Sequence, residues 1–317
     1  MYLPYLYGRQ YELLAVRMML DDERDRDRLL PLIEPLVANS SHLLRCIALC
    51  AEAGQPLAVV VNPDKHELKA EQALADWWEE VEPIISETPL VIPTLVCRTD
   101  DARSDVAAFL QRFPERPVAV VYPGRRLNGA DVQWLARQPQ IRWHIVAVDK
   151  VPQARWQQLP REKTIALHDC FVKLDRNADY VGTEFFTDNH HRVPEDIAGV
   201  SDYLCVGSLF KDGGATPHAV AIHATYVEPE DRDVWVEHFV STDITKDRGD
   251  VASKFVDAAR KLTRAVRARP AEFGDNAALR EFARLARMSA FPGLPTNKKL
   301  QMVHHMCLMM DVLEGRL

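Results

Sequence analysis

Within TEFFTDNHH, residues 183–191, two acids, two histidines and an asparagine surround two phenylalanines. Asp188 and His190 stand in a D-x-H spacing, a carboxylate and an imidazole that could ligate a divalent metal. The segment matches neither H-E-x-x-H nor the EF-hand rule. The competing reading is a loop held by its own polar residues. Phe185 and Phe186 would anchor it to the core, and Glu184, Asp188 and His190 would fold over a site as a lid. A second concentration is His168-Asp169, at the end of an apolar run. A histidine beside a carboxylate can serve as base and orienting acid, or as metal ligands. Neighbours on an extended strand point opposite ways, so at most one of them faces inward unless the strand has ended.

These residues need elements to position them. Short β-branched runs recur at residues 29–37, 56–63, 89–96, 117–124, 142–149, 163–171 and 202–208. Most are continuous rather than alternating, as expected of strands buried on both faces. Between the early ones lie segments of helical period. In SSHLLRCIALCAEAGQ the residues Leu43, Leu44, Ile47 and Cys50 fall on one face, with serines at the start and Gly54 at the stop. AEQALADWWEEVEPII, DDARSDVAAFLQRF and GADVQWLARQ behave likewise. Repeated βα units imply a parallel sheet, and seven strands with residues 219–227 as an eighth favour an α/β (β/α)8 TIM-barrel-like fold. An open doubly wound sheet is the runner-up, but no G-x-G-x-x-G or Walker A sequence supports it. Residues 219–227 and 234–241 alternate and are joined by EPEDRD, which predicts an antiparallel hairpin appended to the barrel or closing it. Residues 250–317 carry three apolar helical stripes. The expected organisation is a barrel domain with a terminal hairpin over 1–249, and a helical extension packed on it over 250–317.

A barrel places its chemistry at the C-terminal ends of its strands. There the sequence offers Glu34, Asn62, Thr94 with Arg98, Tyr122 with Arg125, Asp149, and His168 with Asp169. Glu34, His168 and Asp169 are the candidate catalytic residues. Asn62, Tyr122 and Asp149 are candidate binding residues. The plain alternative is that every strand leaves the core through a polar residue. Gly213 and Gly214 could cradle an anion with their amides, though a tight turn explains them more simply. Lys254, Lys261, Arg264, Arg267 and Arg269, with Arg260 nearby, concentrate positive charge on one tail helix. They make a solvated face, or a contact for phosphates or an acidic partner. Lys298, Lys299, His304 and His305 adjoin a Met-rich face, which is core packing or a partner groove.

The bulk properties narrow the classes. The chain has 317 residues, 47% hydrophobic, with a net charge of −7, so no global field favours nucleic acid. No apolar run approaches the roughly 20 residues of a membrane span. The N-terminus lacks a basic region followed by an apolar one, so no signal peptide is expected. Six scattered cysteines without a CxxC pair read as reduced thiols of a cytoplasmic protein.

The segments YLPYLYGRQYELLAV, LIEP, VNP, LHDCF…NADY…EFFTD, DYLCVG…GGATPHAVAIHATYV, HFVS and FPGLPTNKKLQMVHHM follow one another in this order. In that order, along the whole chain, they resemble a family of bacterial proteins similar to the beta-family proteins. The resemblance marks Arg9, Gln10, Glu12, Glu34, Asn62, Asp169, Asp179, Tyr180, Glu184, Asp188, Asp202, Tyr203, His223, His238, Lys298, His304 and His305 as family-pattern positions. Of these, Arg9, Glu12, Glu184 and Lys298 join the candidate binding residues, as do Lys254, Arg264, Arg267 and Lys299 from the basic tail stretches. Where the family has Arg-Asp-Gly-Phe on the sixth strand, this chain has His168-Asp169-Cys170-Phe171, which puts a shared role for position 168 in doubt. The resemblance also implies a neighbouring gene for a small PD-(D/E)XK nuclease-like protein, in phage-defence-like surroundings.

Three functional readings follow. The first is a regulatory or targeting subunit of a two-component phage-defence or toxin–antitoxin-like system. It would bind the nuclease-like partner and reach nucleic acid through it, with no membrane involved. The second is a barrel hydrolase of phosphoesters or nucleotides using a divalent metal, with Glu34, Asp169, Asp188 and His190 as candidate ligands or bases and Asp188 and His190 as the metal residues. The third is a homo-oligomeric scaffold whose rim binds a small ligand.

Overall fold

Eight parallel strands close into a barrel in the order β1-β2-β3-β4-β5-β6-β7-β9. They are β1 (Tyr2–Tyr7), β2 (Leu32–Glu34), β3 (Leu57–Val60), β4 (Val91–Val96), β5 (Val118–Tyr122), β6 (Ile141–Ala147), β7 (Thr164–His168) and β9 (Gly199–Asp202). The structure is a computed structural model, and it describes residues 1–99, 102–124, 127–209, 218–245 and 250–317. The chain divides into two units. The first, residues 1–13, 25–168 and 189–202, holds the barrel; the second comprises residues 14–24, 169–188 and 203–317.

In the barrel unit the apolar runs become strands, because both their faces are covered. The helices between them are α2 (Ser41–Glu52), α3 (Glu71–Glu87), α4 (Ala102–Arg112), α5 (Gly129–Ala136) and the single turn α6 (Gln153–Trp156); α1 (Gln10–Leu20) begins in this unit and continues in the second. Helix α2 buries Leu43, Cys46, Ile47 and Cys50 as its period predicts. Its Ser40 makes no side-chain cap bond, whereas Gly54, at φ +67°, ends it as expected.

Three strand assignments differ from the sequence reading. Residues 29–37 shrink to Leu32–Glu34, because Pro31 and Pro35 bracket the pairing and neither carries an amide hydrogen. The first barrel strand is YLPYLY, which the pattern of β-branched runs does not reveal because it contains no Val, Ile or Thr. The run at 202–208 is a 3-10 turn over Leu204–Val206, and the strand lies just before it. That strand starts with Gly199 because any Cβ there would collide with the Met1 carbonyl, which accepts from Val200 N–H at 3.0 Å as β9 pairs with β1.

The second unit is built on an antiparallel sheet in the order β10-β11-β8, from β8 (Thr183–Thr187), β10 (Ala221–Val227) and β11 (Val234–Val240). The expected hairpin is therefore appended, and residues 219–227 do not supply the eighth barrel strand. TEFFT is its third strand rather than a loop. Alternation along that strand buries Phe186 and leaves Phe185 47% exposed, so only one of the two phenylalanines is a core anchor. Helices α7 (Val251–Ala268), α8 (Pro270–Phe273), α9 (Ala277–Met288) and α10 (Leu294–Leu313) complete the unit. Met302, Met306, Met309 and Met310 are all buried, so the Met-rich face of α10 is core. No helix among the described residues is long and apolar enough to cross a membrane.

Candidate functional site

The barrel rim is organised by Glu34. It ends β2 just before Pro35 and is 1% exposed. A carboxylate this buried stays charged only if donors replace its water. Tyr5 Oη donates to Oε2 at 2.8 Å, while Lys65 Nζ and Arg98 Nη2 donate to Oε1 at 2.6 and 2.7 Å. Arg98 is itself positioned by the Asn62 carbonyl at 2.5 Å and by Asp64 Oδ2 at 2.8 Å. The Asn62 side chain ties the ends of β3 and β4 together, bonding Val96 N and O at 2.9 Å each. Asn62 thus acts as a clamp whose backbone orients Arg98. Lys65 Nζ lies 5.5 Å from the Tyr7 ring centroid. Two acids and two bases balance, and the cations keep a path to water: Arg98 is 23% and Lys65 30% exposed. Sequence reading found Glu34, Asn62 and Arg98. It missed Tyr5, Asp64 and Lys65, although VNPDK sets Lys65 three residues after Asn62.

Beside Arg98 opens a pocket of about 290 Å³, walled by Cys97, Thr99, Ala102, Tyr122, Pro123 and Leu127. Its lining is mostly apolar, with the guanidinium as its cation. Arg125 lies outside the described residues. Tyr122 is buried and its hydroxyl meets His144 Nδ1 at 2.9 Å. Burial pushes the Tyr122 phenol well up and holds His144 down at about 3, helped by Lys163. The pair is therefore neutral and serves as a strut between β5 and β6. Burial also pushes the Cys97 thiol up to about 12, which rules it out as a thiolate nucleophile at neutral pH.

His168 and Asp169 do not work as a pair. His168 Nδ1 meets Asp149 Oδ2 at 3.2 Å, joining the ends of β7 and β6. Asp169 belongs to the second unit, where its carboxylate accepts from Ser208 N at 2.9 Å and from Ser208 Oγ. It caps a turn. The opposite directions of adjacent residues at a strand end account for the split. In the barrel unit Glu12 is 4% exposed, and Arg9 lines a second pocket of about 340 Å³ with Gln10, Pro35, His42 and Trp77.

The proposed metal ligands distribute over both units: Glu34 and His190 in the barrel unit, Asp169 and Asp188 in the other. Among the described residues no three His, Cys, Asp or Glu side chains form a group that could hold a metal ion. Asp188 is exposed at the end of β8, while the His190 ring lies against that of His191, tilted by 44° with centroids 4.0 Å apart. The Gly213–Gly214 turn and Lys211 lie outside the described residues.

In the second unit three strands contribute one polar side chain each to a single sheet face. His223 on β10 and His238 on β11 are register partners, with Nδ1 atoms 2.8 Å apart. His238 Nε2 faces Glu184 Oε2 on β8 at 3.5 Å, a close approach in which neither buried atom forms a hydrogen bond among the described residues. The Tyr180 ring covers both histidines, at 4.5 and 4.7 Å, and Phe171 lies 4.9 Å from His223. Burial lowers His223 to about 3 and also lowers His238, against the pull of Glu184. Both rings are neutral, so one proton is shared between the two Nδ1 atoms. A carboxylate oxygen facing Nε2 favours the His238 proton there, which makes His223 the Nδ1–H donor. Glu184 thus sits on a sheet strand beside the histidine pair instead of closing a lid.

The basic tail splits in two. Lys254 is 4% exposed, and its ammonium donates to the His218 and Thr245 carbonyls at 2.8 Å each, so it is an internal brace rather than a binding residue. Its position on the flank of the buried face of α7 is the physical reason. Arg264 and Arg267 are exposed, as expected; Lys298 and Lys299 are half-buried on α10. His304 and His305 are interior struts, bonding Thr225 O at 2.8 Å and meeting Thr225 Oγ1 at 3.0 Å. No protein-family model and no curated protein sequence matches this chain.

Proposed function

We propose that the protein is a regulatory or targeting subunit that binds a partner and does not itself hydrolyse a substrate. The partner is the nuclease-like protein implied by the resemblance to the beta-family-like proteins. The observation that supports this reading is the closure of Glu34, the one buried acid among the candidate catalytic residues. Glu34 is held by Tyr5, Lys65 and Arg98, Asp149 by His168, and Asp169 by Ser208. A general base or metal ligand needs lone pairs facing substrate or ion; the buried Glu34 commits its own to three local donors, while Asp149 and Asp169 stay exposed with one partner each. The test is hydrolysis of bis(p-nitrophenyl) phosphate with magnesium or manganese. This reading expects no turnover from the wild-type chain above that of Glu34→Gln. Metal-dependent turnover abolished by Asp169→Asn would overturn it.

The pocket beside Arg98 favours a second, compatible reading, that the barrel rim takes a small anionic effector with an apolar body. Screening phosphate, nucleoside monophosphates and dicarboxylates by thermal shift tests it. An anion whose stabilisation disappears in Arg98→Met supports the reading. Stabilisation unchanged in that variant sinks it.

A further inference from the structure

Two helices of the second unit carry the same outward motif. On α7 the arginines are Arg260, Arg264 and Arg267; on α9 they are Arg280, Arg284 and Arg287. Both sets follow i, i+4, i+7, which places each on one stripe of its helix. All six are exposed, and at 100° per residue both stripes lie opposite the faces that bury Phe255, Ala259 and Leu262, and Leu279, Phe282 and Leu285. The helices pack on each other, and Arg260 Nη2 donates to Ser289 Oγ at 2.9 Å. That bond sets the start of one stripe at the end of the other, next to Arg287.

The charge is not cancelled locally. Residues 251–289 hold nine Lys and Arg against four Asp and Glu, a net +5 within a chain of net −7, although buried Lys254 and Arg269, paired with Glu237, add nothing to this face. Arg264, Arg267 and Arg287 form no ion pair with a carboxylate among the described residues. Arg280 and Arg284 pair with Asp275 and Glu281 at 2.7 Å, but these are exposed pairs of small worth that exchange readily for a better anion.

From this face we infer a binding site for the phosphate backbone of nucleic acid, carried by this chain itself. Both stripes use arginine throughout. Lysine would serve a merely soluble surface as well, whereas the guanidinium fork matches two phosphate oxygens at once. Each stripe spans about 10 Å, about three base steps of a strand. A protein partner would need an apolar centre, and the one large hydrophobic exposed on these two helices among the described residues is Met288. The site goes beyond the regulatory reading and stands without it, because it is measured on the chain alone.

The test is fluorescence anisotropy with a labelled duplex of about 20 base pairs across a salt series, with single-stranded DNA, RNA, poly-glutamate and phosphatidylserine vesicles as parallel probes. The wild-type chain is expected to bind a nucleic acid with log K falling against log salt at a slope of about −3 to −5. Arg264→Gln/Arg267→Gln/Arg287→Gln should weaken binding by about tenfold or more at low salt and flatten the slope by about 2 to 3. The charge-matched control Arg45→Gln/Arg137→Gln/Arg142→Gln, on exposed arginines of the barrel unit, should change neither. Circular dichroism checks that both variants fold. No binding to any nucleic acid at low salt, equal losses in the two variants, or tighter binding to poly-glutamate or vesicles would overturn the inference.

Discussion

Substituting Glu34 probes the rim most sharply. In Glu34→Gln the shape is kept, and the amide oxygen can still accept from Tyr5, but the charge facing Lys65 and Arg98 is gone. Removing one partner of a fully buried pair costs about 3–5 kcal/mol. Here the carboxylate is buried while its cations are 23% and 30% exposed and can turn toward water, which scales the loss toward the surface value. The expected destabilisation is about 2–3 kcal/mol. Arg98→Met should cost less, about 1–2 kcal/mol, since Lys65 and Tyr5 still satisfy Glu34. In the double variant Arg98 is already absent, so the two effects must not add; a coupling of about 1–2 kcal/mol is expected. The assay is urea unfolding followed by tryptophan fluorescence and far-UV circular dichroism, comparing midpoints at unchanged m-value, at low and at high salt. A buried carboxylate is screened little, so the coupling should survive high salt. Additive effects, or a coupling that vanishes with salt, would refute the claim that Glu34 organises the rim.

Other outcomes follow from single side chains. Lys254→Met should destabilise the second unit by about 2 kcal/mol, through two carbonyls left without their donor, while leaving the salt slope of nucleic-acid binding unchanged. His144, His223 and His304 are held at about 3, 3 and 4 by burial. Their unfolded value is near 6.5, so the unfolded chain takes up protons first; the stability tied to each is complete above that pH and is lost as pH falls from about 6.5 towards the folded values. In that window His144→Phe should flatten the fall by up to about 1.4 kcal/mol per pH unit, read from urea midpoints against pH. An unchanged slope would show that His144 is not buried neutral. Nitrogen NMR should find His223 as the Nδ1–H tautomer and His238 as the Nε2–H tautomer, with the preference lost in Glu184→Gln and retained in Glu184→Asp. The reverse tautomers would mean that Glu184 does not set the tautomers of the pair. Asp169→Ala should cost about 1–2 kcal/mol as a lost turn cap.

How much of this was legible in the sequence depends on range. The barrel strands were legible where they are continuous apolar runs, as at Val118–Tyr122 and Ile141–Ala147. Tyr2–Tyr7 was not, because it contains no β-branched residue. Glu34, Asn62 and Arg98 could be placed at the rim by the strand-end rule alone. Lys65 could not, since its reach to Glu34 depends on the path of a loop. The His223–His238 pairing was within reach: counting outward from Val227 opposite Val234, at the two ends of the hairpin loop, sets them face to face. Glu184 was not, because TEFFT reads equally as a polar loop until it pairs with β11. Arg280, Arg284 and Arg287 repeat the spacing of the α7 stripe, but their meaning depends on the packing of α9 against α7, which helical period cannot supply.

The central claim is that this chain is a subunit that binds a nuclease-like partner and not an independent metal-dependent hydrolase. The most direct measurement is co-expression with a PD-(D/E)XK nuclease-like protein of the kind the resemblance implies, affinity capture of one tagged chain, sizing of the eluate, and metal analysis of the same peak. A stoichiometric complex in which this chain carries no metal is the predicted result. A lone protein eluting with near-stoichiometric divalent metal would contradict it and return the chemistry to the barrel rim.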